Sequence, residues 1–411
     1  MSTIRPLQAA PRADTPASAA SSRRASLLWL LAFLLVAFNL RAPIIALGPM
    51  MRSLMDGLSV SANVASLLTT IPILCFACIS PLAPWLAARL GMDRSIGLAL
   101  LTLVLGVGLR GVDSLSWVLL GTALMGAGIA CGNVYMPSFI KRNWPDRVGR
   151  MMGFYTVTMG VGATLAAATS VPLMQLTSSW QTPMWLWAAV ATLALLVWLF
   201  GLWKMPTPAA ALPPRASLGG MLRSPLAWAL TLFMGCQSTS FYTIQAWLSQ
   251  VVTSEGATAA EAGVMLSVIN LVTIPASFVV PMLATRLRSQ SLLALIITLL
   301  IAAGTLGVML SPLHGQLLWA VLLGVGQGAS VSLAFTCMLL RSREVHHSAL
   351  LSSMSQSIGY LLAATGPVLF GWLHELSGHW QWSMTLLIVL LVVQGVAGLI
   401  CGRPRFVELH D

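Results

Sequence analysis

The sequence predicts an all-α polytopic membrane protein with twelve transmembrane helices in two six-helix halves and both termini cytoplasmic. Three observations carry this reading. Of the 411 residues, 57% are hydrophobic and only 8% charged, against roughly a quarter charged in soluble domains, and the mean hydropathy is +0.85. A soluble fold of this length would lack the polar surface to cover its core. Apolar runs long enough to cross about 30 Å of hydrocarbon, about 20 helical residues each, follow one another along the chain, and a repeat divides it in two. A soluble enzyme, a disulfide-built secreted module and a disordered scaffold are excluded.

Residues 1–25, rich in Ala, Ser, Pro and Arg without apolar periodicity, are expected to form a disordered cytoplasmic tail. The apolar run that follows is too long for a signal peptide and lacks a convincing cleavage site. The spans are then expected at 27–50, 62–88, 95–112, 115–140, 150–174, 183–203, 225–252, 262–285, 291–311, 316–340, 348–373 and 382–401. They are helices because lipid cannot satisfy the backbone groups of an open strand. The first six form an N-terminal bundle over 26–203, the Pro-rich segment 204–224 is a cytoplasmic linker, the last six form a C-terminal bundle over 225–401, and 402–411 is a second tail.

Of the 22 Lys and Arg residues, nineteen fall in the tails and the loops on their side of the membrane, including Lys141-Arg-Asn-Trp-Pro-Asp-Arg-Val-Gly-Arg150. Arg52 and Arg110 fall on the opposite side and Arg41 lies within the first span. That asymmetry places both termini in the cytoplasm. The net charge of +11 is therefore a topology signal, not a nucleic-acid footprint. Trp29, Trp117, Trp144, Trp180, Trp203, Trp228 and Trp380 stand near span ends, where an interfacial anchor is expected. Cys75-Phe-Ala-Cys78 has metal or redox spacing, but no His, Asp or Glu accompanies it in its span, and two small apolar residues is the simpler reading.

Pro84-Trp-Leu-Ala-Ala-Arg-Leu90 recurs as Pro281-Met-Leu-Ala-Thr-Arg-Leu287, 197 residues on, and Gly126-Ala-Gly128 recurs as Gly324-Val-Gly326, 198 residues on. Equivalent positions in spans two and eight, and in four and ten, imply parallel repeats. Gly121, Gly126, Gly128 and Gly132, with Gly324, Gly326 and Gly328, are expected to let helices approach closely.

Twelve helices in two halves with a long central loop resemble the major facilitator superfamily. Within it, Asn39-Leu-Arg-Ala-Pro43 with Gly48-Pro49, Leu67-Leu-Thr-Thr-Ile-Pro72, Pro81-Leu-Ala-Pro84, Gly126-Ala-Gly-Ile-Ala-Cys-Gly-Asn133, Pro137 and Lys141-Arg142 with Pro145-Asp-Arg147 are similar to the cyanate permease and nitroimidazole transporter family. The second half matches more loosely, through Ala246-Trp247 and Gly359-Tyr360. The superfamily's loop between helices two and three carries a Gly and an Asp before Arg-x-Gly. Here Pro84 and Ala88 stand there, followed by Arg89-Leu-Gly91, with Asp93 and Arg94 beyond. These four residues form the cytoplasmic loop motif, but the carboxylate's latching role is not carried over.

Arg41 is the main functional clue. It lies about 21 Å along the first span at 1.5 Å per residue, where charge is costly, and no Asp, Glu or His lies deep in any span to neutralise it. An unpaired guanidinium lining a cavity is a planar anion receptor; the alternative is snorkelling, or donation to carbonyls freed by Pro43. Asn39, Asn133, Gln237, Tyr242, Gln245, Asn270, Gln327, Gln356 and Tyr360 are candidates for orienting hydrogen bonds, with helix–helix bonding as the alternative. Trp247 is a possible stacking residue or gate. Arg110 and Asp113 are i,i+3 neighbours, expected as a surface ion pair with an outer-end gate or proton site as the alternative. The resemblance implies a monomeric secondary transporter of the cell inner membrane, working by alternating access on a small anion (cyanate-like) or compact planar polar molecule (nitroimidazole-like). An exporter of toxic compounds and a non-transporting sensor or scaffold are the alternatives. Substrate and lipid bilayer are the expected partners. The chain has no glycine-rich phosphate loop ending in Gly-Lys-Ser or Gly-Lys-Thr, and no nucleotide, nucleic acid, metal or other cofactor is expected.

Overall fold

The computed structural model describes residues 16–204 and 218–407, and every regular element in them is helical. In chain order these are α1 (Pro16–Asn39), α2 (Ala42–Ile45), a 3-10 turn (Gly48–Met50), α3 (Met51–Leu58), α4 (Ala62–Ile79), α5 (Leu82–Leu90), α6 (Met92–Leu109) and α7 (Leu115–Asn143). A second 3-10 turn (Pro145–Arg147) leads to α8 (Val148–Thr177), α9 (Gln181–Lys204) and α10 (Leu218–Leu222). Then come α11 (Pro225–Ser254), α12 (Ala259–Arg286), α13 (Ser291–Leu310), α14 (Gln316–Leu340), α15 (Val345–Ser377) and α16 (Trp380–Cys401).

Among the described residues, nine helical stretches are long and apolar enough to cross a membrane, and the bent pair α4–α5 brings the number to ten. The chain is thus a multi-pass membrane protein. The two remaining long helices, α11 and α15, carry polar runs buried in protein: Gln237, Ser238, Thr239 and Ser240, and Ser352, Ser353, Ser355 and Gln356. Those runs lower their hydropathy because they face neighbouring helices.

Two spans expected to be continuous are broken. The first stops at Asn39, because Pro43 has no N–H to offer the Asn39 carbonyl and its ring crowds that carbonyl; Arg41 stands in the gap with φ −130° and ψ −33°. The second bends by 60° between α4 and α5, where Pro84 removes the donor due to the Ser80 carbonyl. The hydroxyl of Ser353 donates to that carbonyl at 2.7 Å. The described residues also reach into the segments expected at the chain ends and centre. Residues 1–15 lie outside the described residues, but the expected disordered tail overlaps α1 from Pro16 onward. Most of the central linker lies outside them too, and its described end is α10, packed on α15. The second tail is held: Gln290 N donates to Gly402 O at 2.8 Å and Val407 N to Arg341 O at 2.8 Å, with Val407 buried.

α1 packs on α8 and α9, α6 on α7 and α9, and α4 on α7; α11 packs on α15 and α16, α12 on α14, and α13 on α14 and α16. Between these groups α8 meets α12 and α4 meets α15. Small residues permit the close approaches. A Cβ on Gly328 would lie 2.3 Å from the Thr273 carbonyl, and one on Gly128 2.6 Å from that of Ala99.

The repeat extends to a pair of arginine clamps. Arg142 forms an ion pair with Asp93, and Trp198 Nε1 donates to the Asp93 carbonyl at 2.9 Å. In the equivalent place Arg341 donates to Gln290 Oε1, to Cys401 O at 2.7 Å and to Gly402 O at 3.0 Å. Gly91 turns the loop motif with φ +83°, a conformation that suits glycine. Arg89 lies over the Trp85 ring at 4.3 Å, and Arg94 is exposed. Of the expected tryptophan anchors, Trp117, Trp203 and Trp228 are exposed, but Trp180 and Trp380 are buried in protein. Trp380 is buried because His374 and Phe370 stack on it, with ring centroids 3.6 and 5.7 Å away.

Candidate functional site

A cavity of about 90 Å³ opens between the two groups of helices, several times the space one water needs. The gap between α1 and α2, together with α2, α4, α7 and α8, contributes residues from one side, and α11, α12, α14 and α15 from the other. Its polar wall is Arg41, Asn133, Gln237, Ser238, Tyr242, Thr273, Gln327 and Tyr360.

Arg41 enters this wall through the break between α1 and α2. A residue inside a continuous helix is fixed by the i+4 ladder, whereas the non-helical dihedrals here re-aim the side chain. Its guanidinium makes no hydrogen bond or ion pair to a described residue, and instead lies 5.1 Å from the centre of the Phe241 ring. Such a contact satisfies a cation's charge in part but leaves its N–H donors unused. The break is itself braced. Arg110, at the end of α6, is buried and donates through Nη1 to the Pro43 carbonyl at 2.7 Å and to Met125 Sδ at 2.9 Å. The expected surface ion pair with Asp113 is therefore not formed. Arg110 turns inward to a carbonyl that the short α2 leaves without a helical donor, and Asp113 remains exposed.

The aromatic lining has internal order. Phe76 and Tyr360 lie 4.9 Å apart, Tyr242 and Tyr360 6.5 Å, and Phe241 and Tyr242 5.4 Å edge to face. Asn133 is oriented by the Tyr155 hydroxyl, which donates to its Oδ1 at 3.0 Å. Gln237 Nε2 donates to Ser238 Oγ at 2.7 Å. The structure thus brings together five of the expected substrate-contact residues, Arg41, Asn133, Gln237, Tyr242 and Tyr360, and adds Gln327 from the wider set.

The others lie elsewhere. Asn39 is buried in α1, its amide donating to Leu35 O at 2.9 Å, because residues two apart do not share a helix face. Gln245 and Asn270 bond each other at 3.1 Å, and Gln356 donates to Ser352 Oγ at 2.8 Å; none of the three lines the cavity. Trp247 donates to Pro367 O at 2.8 Å and packs on Phe370 and Trp380, which makes it part of a helix contact instead of a stacking face. Phe76, Met159, Phe241 and Thr273 were not singled out from the sequence. Hydrophobic residues in apolar spans carry no mark of which face they occupy.

One end of the cavity is sealed. Lys141 donates to Leu339 O at 3.1 Å, Ser342 Oγ at 3.0 Å and the Ser342 carbonyl. Thr156 Oγ1 donates to Ser277 O at 2.8 Å, and Ser353 Oγ to Ser80 O. These bonds join the two groups of helices on the side where α7 ends and α8 begins.

The sequence profile of the Major Facilitator Superfamily matches residues 29–364. The chain is 39% identical to the uncharacterized transporter YycB of Bacillus subtilis (strain 168), covering 92% of this chain and 94% of that protein. It is 37% identical to the 2-nitroimidazole transporter of Escherichia coli (strain K12), over 90% and 94%, and 28% identical to the cyanate transport protein CynX of the same organism, over 88% and 94%. Its fold is similar to that of the E. coli fucose:proton symporter FucP, with a TM-score of 0.71 at 14% identity, covering 89% of this chain and 97% of that one.

Proposed function

The chain belongs to the Major Facilitator Superfamily, and from that premise we propose that it is a secondary transporter for a small anion or compact planar polar molecule. Two six-helix halves, each with cytoplasmic ends, rock about the cavity at Arg41 and expose it to each side in turn. The packing of α8 on α12 and of α4 on α15 supports this division, since these contacts exchange under the repeat. The excess of Lys and Arg on the Lys141 side supports a cytoplasmic place for that end, which makes the sealed end the inner one.

A single observation carries the reading: Arg41, without a hydrogen-bonded or ion-paired partner among the described residues, lines a cavity shared by both groups of helices. Its fork of donors suits a carboxylate-like, cyanate-like or nitro group, and Phe76, Phe241, Tyr242 and Tyr360 offer apolar faces to a flat ring. The similarity to transporters named for 2-nitroimidazole and for cyanate supports substrates of this size. None of the wall residues is an Asp, Glu or His, which supports a facilitative or exchange cycle, with any co-transported proton carried on the substrate or bound at an outer-end group such as Asp113.

Flux of labelled cyanate and of 2-nitroimidazole into proteoliposomes tests the proposal. Saturable flux of either, lost in Arg41→Gln protein that still folds, is the expected result. Specific binding without flux of any small anion or heterocycle would instead identify a sensor.

A further inference from the structure

Three amides line the cavity, and two of them are already engaged. Asn133 accepts from Tyr155 and Gln237 donates to Ser238. Gln327, in the middle of α14, differs: the residue is 2% exposed, and both Nε2 and Oε1 are buried without a hydrogen-bond partner. Its hydroxyl neighbours bond elsewhere. Thr273 Oγ1 donates to Ile269 O and Gly324 O, while Ser330 Oγ accepts from Gln394. A buried primary amide with neither its donor nor its acceptor used is costly, and a packed helix could carry Leu or Met there without that cost. An orphan of this kind on the wall of a binding cavity points to a ligand that supplies both missing partners.

We infer that Gln327 is a specificity-determining residue that reads a donor and an acceptor placed side by side on one edge of the substrate. The inference rests on the transport reading above and narrows it. The Gln327 carboxamide accepts a substrate N–H at Oε1 and donates from Nε2 to an adjacent ring nitrogen or oxygen, two parallel bonds that only a planar edge can meet. An azole N–H beside a ring nitrogen or a nitro oxygen fits, as does a lactam. A linear anion such as cyanate carries acceptors alone, and would leave Oε1 unsatisfied. Arg41 then meets the electron-rich remainder of the molecule, and the aromatic wall holds its ring.

The test is equilibrium binding of three probes, 2-nitroimidazole, 1-methyl-2-nitroimidazole and cyanate, to the purified full-length chain. The methyl group removes the N–H donor and keeps the ring. Wild-type protein is expected to favour the N–H form at least about tenfold, the scale of a lost buried partner. In Gln327→Met, a substitution of similar volume, that preference collapses because affinity for the N–H form falls, while cyanate binding changes less than about twofold. Thermal melting without ligand verifies that the variant folds, and Gln327→Asn, which keeps both groups on a shorter stem, provides a second variant with weakened preference. Full preference in Gln327→Met and Gln327→Asn alike would overturn the inference and leave the transport proposal standing. Loss of cyanate binding in parallel with 2-nitroimidazole would overturn the donor–acceptor edge. Failure of the wild-type chain to bind any of the three probes would overturn both this inference and the proposal beneath it.

Discussion

Lys141 and Ser342 hold the two groups of helices together at one end: the ammonium on α7 donates to both the carbonyl and the hydroxyl of Ser342, just beyond α14. A cation here also sits against the negative end of the α14 dipole. This is a charge-to-helix closure made through carbonyl and hydroxyl acceptors. In Lys141→Met the sealed end should open more often. A charge-assisted bond network of about 2 kcal/mol corresponds to roughly a thirtyfold change in the ratio of states. Spin labels at Asp146→Cys and Arg288→Cys, both exposed positions, should show a longer distance in a larger fraction of molecules. An unchanged distribution would remove Lys141 from the closure.

Gly149 tests the same surface sterically. A Cβ there would lie 2.2 Å from Thr285 Oγ1 and 2.7 Å from the Pro281 carbonyl, across the contact of α8 with α12. Gly149→Val should hold this end apart while leaving each group of helices folded, at a cost to the sealed state of about 1–3 kcal/mol. A Ser277→Cys thiol, buried in the native contact, should then react faster with a water-soluble maleimide.

Arg41 should carry affinity for anionic substrates. Arg41→Lys keeps the charge and loses the planar fork, which should weaken binding about tenfold, and Arg41→Gln should weaken it further. Phe241→Leu removes the ring beneath the guanidinium and should cost about 1 kcal/mol, read as a smaller loss of affinity without change in expression. Wild-type affinity in Arg41→Gln would exclude the site.

Arg110 and Asp113 should behave oppositely, although they are neighbours in sequence. Asp113→Asn, at an exposed position, should shift stability by less than about 0.5 kcal/mol. Arg110→Met leaves the Pro43 carbonyl without its donor and should cost about 1–3 kcal/mol. Thermal inactivation of the two purified variants separates these outcomes. Equal losses would restore the surface ion pair.

An imposed pH gradient tests energy coupling. In proteoliposomes without a substrate gradient, accumulation of a non-titrating substrate should be absent, and Asp113→Asn should leave net flux unchanged. Accumulation abolished in that variant would show a side-chain proton site at Asp113.

Much of the helical plan is legible because hydrophobic length is a one-dimensional property: the expected span 316–340 is α14, residue for residue. Helix breaks are less legible. Pro43, Pro72 and Pro84 all read alike in sequence, yet α4 continues through Pro72 while Pro43 and Pro84 stand beside gaps. The difference lies in distant donors: Ser353 donates to the Ser80 carbonyl that Pro84 frees, and Arg110 donates to the carbonyl of Pro43 itself, within the short α2. Arg41 was readable because a lone charge in an apolar run has few places to go. Gln245 and Gln327 could not be ranked, since only tertiary packing decides that one finds Asn270 and the other finds no partner. Arg110 was misread for the same reason: proximity to Asp113 in the chain outweighed a carbonyl 67 residues away that sequence does not reveal.

The bond from Arg110 to Pro43 has a consequence for how such a chain can change its preferences. The position of Arg41 is set by a helix, α6, that contributes nothing to the cavity wall. Selectivity therefore has a tuning point outside the pocket: drift at residue 110 or at Met125 re-aims the receptor while every wall residue is conserved. Two descendants with identical linings could part ways in what they carry, and a comparison restricted to lining residues would score them as the same transporter.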